Sequence, residues 1–206
     1  MSLWGLNPHN SIHGGVAISF RNWLLKAVYP LSSKVGTVHM PYSRKKIQSE
    51  HYRQITKVLR PGVGLLTLTY GELSNVLIPG YWSHVGAYCG HRCVVEAVGK
   101  GVVETDLIDF ALTKDEILVV KPTFATLEQM EISSAWMSKQ IGKPYDMQFR
   151  SGEDAFFCSE LYVQSYARQG IVIPWKVSTS FGVDTPIPQD IADFPEVWEV
   201  VAKFPP

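Results

Sequence analysis

The chain of 206 residues is 46% hydrophobic and carries 19 basic and 19 acidic side chains, which is enough apolar material for a full core and leaves no net field to recruit nucleic acid or an anionic membrane. Its three cysteines make no disulfide framework and leave at least one thiol free, as suits a reducing compartment. No stretch reaches the roughly eighteen apolar residues of a membrane span, and Arg21 and Lys26 break the apolar run near the N-terminus; the expected location is the cytoplasm, or the periplasm or exterior if a leader has been removed.

From Val16 to Leu31, Val16, Phe20, Trp23, Leu24, Ala27, Val28 and Leu31 recur at helical spacing. With few basic residues on its polar side, this amphipathic helix is expected to dock on the protein's own core rather than on a membrane. Arg44-Lys45-Lys46, read as a solvated first turn, opens a second helical pattern through Ile47, Ile55, Val58 and Leu59 that Pro61-Gly62 ends. Residues 1–58 therefore read as a helical extension packed on a domain spanning 59–206.

Strand-forming residues follow at Gly64–Tyr70, then a loop from Gly71 to Trp82, then Ser83–Tyr88 and Cys93–Val98 as the arms of a β-hairpin turning at Gly90-His91. Val102–Glu104 adds a strand, Asp106–Leu112 a short helical piece and Ile117–Lys121 another strand, so the class is α+β with an antiparallel sheet of about five strands. Leu127–Ile141 returns to helical spacing, stops at Gly142 and leads through Lys143-Pro144-Tyr145-Asp146 to a helix over Cys158–Gln169 that Gly170 closes. Beyond it the chain is Pro-rich and irregular until Val197–Val200, a candidate edge strand.

Cys158 falls in the first turn of its helix, where unpaired backbone N–H groups and the helix dipole favour thiolate over thiol. Position alone leaves the commoner alternative open, a buried structural cysteine. A three-residue loop centred on Gly90 sets His84 directly opposite Glu96, on one face and close enough for the carboxylate to hold an imidazole nitrogen. A two-residue loop instead sends Glu96 to the other face. Helix-start thiol, histidine and orienting carboxylate are together the parts of cysteine nucleophilic catalysis. A rival use of the hairpin is a metal site from Cys89, His91 and Cys93 near His84, but single-residue gaps on a strand do not match the C-x(2–4)-C knuckles of structural zinc. Glu160 and Asp154, near the helix start, read as caps or dipole partners, and Trp82 as core.

Four segments in order, Ser83-His84-Val85-Gly86, Val95-Glu96-Ala97, Gly142-Lys143-Pro144-Tyr145-Asp146 and Phe157-Cys158-Ser159-Glu160-Leu161, resemble the circularly permuted NlpC-like cysteine hydrolases of the YiiX type, whose more distant relatives include lecithin retinol acyltransferase. The resemblance covers roughly Leu59–Gly170 and extends to the Pro186–Val200 tail; the acidic residue that members commonly have after Pro-Gly is missing from Pro61-Gly62-Val63-Gly64. It implies a permuted papain-like fold with Cys158 as nucleophile, His84 as base, Glu96 orienting His84, and Tyr145 near the oxyanion or substrate, with no metal or cofactor needed. The expected activity is a thiol hydrolase cleaving an amide, in a peptide or cell-wall-type peptide, through an acyl-enzyme. One alternative is acyl transfer or ester hydrolysis on a lipid, with the Val16–Leu31 helix and the aromatic loop Trp175–Phe181 as a lipid-facing rim. The other is a catalytically inactive binding module of the same fold.

Overall fold

The computed structural model describes residues 47–70, 78–149, 152–174, 179–180 and 183–205. The helix expected over Val16–Leu31, the basic triplet, and most of the Trp175–Phe181 loop lie outside the described residues. In chain order the elements are α1 (Ser49–Val58), β1 (Gly64–Leu68), β2 (His84–Gly90), β3 (Cys93–Val98), β4 (Gly101–Asp106), α2 (Leu107–Leu112), β5 (Glu116–Pro122), α3 (Leu127–Ser138), α4 (Cys158–Ala167), β6 (Thr179–Ser180), β7 (Val183–Asp184), α5 (Pro188–Asp193) and β8 (Trp198–Phe204).

The main sheet has six strands in the order β4-β3-β2-β1-β5-β8, every neighbouring pair antiparallel. This is one strand more than the approximate five expected. The addition is the tail strand β8, which pairs with β5 from Pro122↔Trp198 to Ile117↔Phe204 and runs past the expected end at Val200. Helix α5 was hidden by its prolines. Pro188 occupies a first-turn position, where the missing N–H costs nothing, and Asp190 Oδ2 accepts the Ile187 N–H at 3.0 Å.

Two glycines at the centre of the sheet let helices approach both faces. Gly64 pairs with Ala87, and a Cβ built there would lie 2.8 Å from the Tyr162 ring of α4. The neighbouring Gly86 points to the opposite face, where a Cβ would lie 3.0 Å from Phe110 of α2 and 2.7 Å from Val94 Cγ1. Behind α4 an aromatic floor closes the core: Trp198 is fully buried, with its ring centroid 5.2 Å from that of Tyr162 and 5.0 Å from that of Phe124. The buried hydroxyls of Tyr162 and Tyr166 both donate to the Gly62 carbonyl, at 3.1 and 2.6 Å, so their polar tips are satisfied.

At the other edge, the loop after α3 docks on β4. The Val102 N–H donates to Lys143 O at 2.8 Å and the Gly142 N–H to Val102 O at 2.9 Å. Gly101 is required at this docking point, because its φ is +113° and a Cβ would lie 2.5 Å from Lys143 O. The dock sets where Tyr145 begins. Among the described residues no helix is long and apolar enough to cross a membrane.

Gly64→Ala is expected to destabilise the fold by about 1–3 kcal/mol, since both the β1 backbone and the buried Tyr162 ring would have to give way. The urea midpoint should fall with the m-value unchanged.

Candidate active site

The segment before α4 is bound to the loop after α3. The Phe156 N–H donates to Pro144 O and the Asp146 N–H to Phe156 O, both at 3.1 Å, forming a parallel bridge between Tyr145 and Phe156. Phe157 is the extended N-cap residue, and Cys158, 3% exposed, is the first residue of α4. The first-turn position expected for the thiol is therefore observed. Strand β2 pairs with β3 only from Gly86 onward, whereas β3 continues with β4 as far as Val98. Where β2 and β3 part, the Val85 amide lies close enough to the Cys158 thiol to favour its anion.

The hairpin differs from expectation in a way that matters for the site. His91 and Arg92, with φ of 49° and 63°, make a two-residue turn of the kind that matches strand twist, and Gly90 pairs with Cys93. Continued unchanged, that register would oppose Glu96 to Ala87 and turn its carboxylate away from His84. A bulge at Cys89 absorbs one residue, so Tyr88 pairs with Val94 and Gly86 with Glu96. His84 is thus not directly opposite Glu96 but two places along, still on the same face. Diagonal neighbours lie ~7–8 Å apart at Cα, and the glutamate spans the gap over the bare Gly86 position: His84 Nε2 and Glu96 Oε2 are 2.7 Å apart.

The second Glu96 oxygen accepts from Thr105 Oγ1 of β4 at 2.7 Å, a residue sequence reasoning missed. Thr105 shares the Glu96 face because Val103 opposes Glu96, which becomes visible only once the register is known. Burial works to raise the Glu96 carboxyl, but the His84 hydrogen bond and the His84 and Lys114 charges outweigh it and hold the group at about 2. Burial likewise opposes a charge on His84, whose side chain is 17% exposed, yet the bonds to Cys158 and Glu96 raise it to about 9. For Cys158 burial again disfavours the anion, and hydrogen bonding to His84, the imidazolium charge and the Val85 and Ser159 amides bring the thiol below its ordinary value. Glu96 occupies Nε2, which leaves Nδ1 as the ring nitrogen not engaged by the carboxylate. The arrangement is a buried cysteine, a histidine and a carboxylate in sequence, ending on the Thr105 hydroxyl, with the environment of Cys158 favouring the thiolate.

Tyr145 is half-buried. Burial, then the Cys158, Asp146 and Glu160 charges, push its hydroxyl well above the usual phenol range, which places it within reach of the Cys158 charge. Glu160 is wholly buried on the first turn of α4, and Asp154 is exposed. Trp82 is buried, as expected.

Cys89, His91 and Cys93 do not act together. The Cys89 thiol donates to Ala87 O at 3.5 Å and to Ser134 O at 3.7 Å, and the Cys93 thiol to His91 O at 3.7 Å. Among the described residues no group of three His, Cys, Asp or Glu side chains is gathered as a metal ion requires.

Comparison with known proteins bears on the fold and the family. The crystal structure of the metalloprotein yiiX from Escherichia coli O157:H7 (DUF1105) matches with a TM-score of 0.57 at 21% identity, covering 71% of this chain and 98% of that one, a likeness of fold. No curated protein sequence gives a significant match. Residues 59–195 match the model of the permuted papain-like amidase enzymes, YaeF/YiiX, C92 family. The antiparallel sheet packed on helices, with histidine and carboxylate preceding the cysteine in the chain, is the permuted papain-like α+β fold, and the chain belongs to the YaeF/YiiX, C92 family of permuted papain-like amidases.

Proposed function

We propose that the protein is a cysteine hydrolase that cleaves an amide bond in a peptide or cell-wall-type peptide through an acyl-enzyme on Cys158. The observation that carries this reading is the buried Cys158 beside His84, whose imidazole is hydrogen-bonded to Glu96 and through it to Thr105, and membership of an amidase family supports the bond class.

The thiolate attacks the carbonyl carbon, and the oxyanion is held by the Cys158 backbone N–H, one of the orphan donors of a helix start, together with the Tyr145 hydroxyl. As the C–N bond breaks, the His84 imidazolium gives its Nδ1 proton to the leaving amine. Neutral His84 then takes a proton from the water that attacks the thioester, the acid departs, and the thiolate–imidazolium pair is restored. Glu96 keeps the imidazole oriented and favours its charged form, and Thr105 holds Glu96 in turn.

The direct test is incubation with short peptide amides, cell-wall-type peptides and phospholipids, with mass spectrometry of the intact protein. Mass added at Cys158 together with amine release from a peptide supports the reading, whereas adducts formed only from phospholipid would replace it with lipid acyl transfer. Cys158→Ala should abolish both signals, and His84→Ala should slow turnover by roughly a hundredfold or more.

Turnover should rise as Cys158 ionises, below the ordinary thiol range, and should fall as His84 loses its proton at about 9. Because the Glu96 carboxylate raises that value, Glu96→Gln should bring the alkaline fall to lower pH in a kcat/KM profile. Tyr145→Phe should lower kcat by roughly a hundredfold, the usual effect of losing one oxyanion donor, with KM little changed.

A further inference from the structure

Glu160 is 0% exposed, and the proposed chemistry does not use it. It is the third residue of α4, two beyond Cys158, and from there it reaches back to its own helix start. The backbone N–H of the N-cap residue Phe157 lies near enough to its carboxyl to favour the anion. Oε1 accepts from the Gly152 N–H at 3.1 Å and from Gln164 Nε2 at 2.8 Å. The same Gln164 amide donates to Gly152 O at 3.2 Å. Gly152 is thus gripped at both its N–H and its carbonyl, and the segment that delivers Cys158 is tied to α4 by one carboxyl and one amide.

The other oxygen tells a different story, because Oε2 is buried with no hydrogen-bond partner. A carboxylate with a bare oxygen in the interior is strongly disfavoured. Burial, and then the Asp146 charge, push Glu160 up to about 8, against the Gly152, Phe157 and Gln164 bonds that favour ionisation. Among the described residues the groups facing it are Asp146 and Tyr145 from the loop after α3 and Gln164 one turn on, and Tyr145 also feels the Cys158 charge. Beyond Gln164, Arg168 is engaged with Glu153 at 2.7 Å and with Gln164 Oε1 at 3.4 Å. Burial and the Asp146 charge together thus favour the neutral acid.

We propose that Glu160 is a proton-carrying positioning residue: its neutral carboxyl holds the Gly152–Phe157 segment, and with it the Cys158 amide and thiol, in the working arrangement while keeping a second negative charge away from the thiolate. A glutamine in its place makes the same contacts and does not ionise; an alanine makes none. The proposal rests on the cysteine-hydrolase reading insofar as Cys158 is the group being positioned.

The sign of the pH dependence follows from the raised value. An acid that is harder to ionise in the fold than in the open chain contributes its stability fully below the ordinary carboxylate value of 4.5, and that contribution is lost as pH climbs to about 8. In thermal unfolding from pH 5 to 9, the Tm advantage of Glu160→Gln over wild type should therefore widen by several degrees up to about pH 8 and then level off. A gap that stays constant overturns the proton-carrying role. Alkylation of Cys158 by iodoacetamide at pH 7, read by mass spectrometry, tests positioning. Glu160→Gln should stay within about twofold of wild type and Glu160→Ala should fall about fivefold or more; a wild-type rate in Glu160→Ala overturns that role. His84→Ala measured alongside separates the two readings. If Cys158 reacts at the wild-type rate there too, the thiol-hydrolase reading fails, while the Tm gap still reports the Glu160 titration.

Discussion

The site hangs on the contact between His84 and Glu96, and that contact hangs on one extra residue at Cys89. The turn at His91-Arg92 and the bulge at Cys89 shift the register by compensating amounts. Without the bulge every side chain of β3 would change faces relative to β2, and Glu96, now 2.7 Å from the imidazole, would point into the opposite layer. The same shift places the glutamate over Gly86, where the lack of a side chain leaves a lane to the histidine and room for Phe110 beneath. A bulge beside a reactive site that re-aims a side chain is a common device of β-sheets.

Once made, the contact gathers three ionisable groups where burial opposes every charge. Unpaired, each would revert to its neutral form. Together they resist this, because His84 lies between two acidic groups and favours the anion of each: His84 lowers both Cys158 and Glu96, and they in turn raise His84. Thr105 and the Val85 and Ser159 amides occupy lone pairs that would otherwise be bare. Removing one partner leaves the others as uncompensated buried charges, which is why such groups respond as a unit rather than additively. Glu160, close by but set against the Asp146 charge, goes the other way, its carboxyl pushed up to about 8.

The scaffold delivers these groups from distant parts of the chain by backbone bonds rather than by side-chain packing alone. Lys143 docked on β4 and Phe156 bridged to Tyr145 set the approach to α4, and the Ser159 hydroxyl donating to Pro186 O at 2.8 Å ties the first turn of α4 to the tail. From the opposite side, Gln189 of α5 accepts the Tyr81 and Trp82 N–H groups at 2.7 and 3.1 Å with a single oxygen, steadying the segment that enters β2 at His84. The proline-rich tail, unpromising in composition, thus supports both halves of the site.

Local pattern was enough to mark the helix that begins at Cys158, the two hairpin arms carrying His84 and Glu96, and the α+β class, because periodicity, glycine stops and strand formers are properties of neighbouring residues. The order of four short segments was enough to suggest the family. What the tertiary structure alone decided was the register, and with it the diagonal reach of Glu96, the role of Thr105 and the parting of β2 from β3 that receives the thiol. A bulge exchanges one local pairing for another of similar energy, so its position is chosen by what packs on the two faces of the finished sheet. The proton on Glu160 was beyond the sequence for the same reason: as an N3 residue it reads as a cap, and only burial beside Asp146 with one oxygen unpartnered favours its neutral acid.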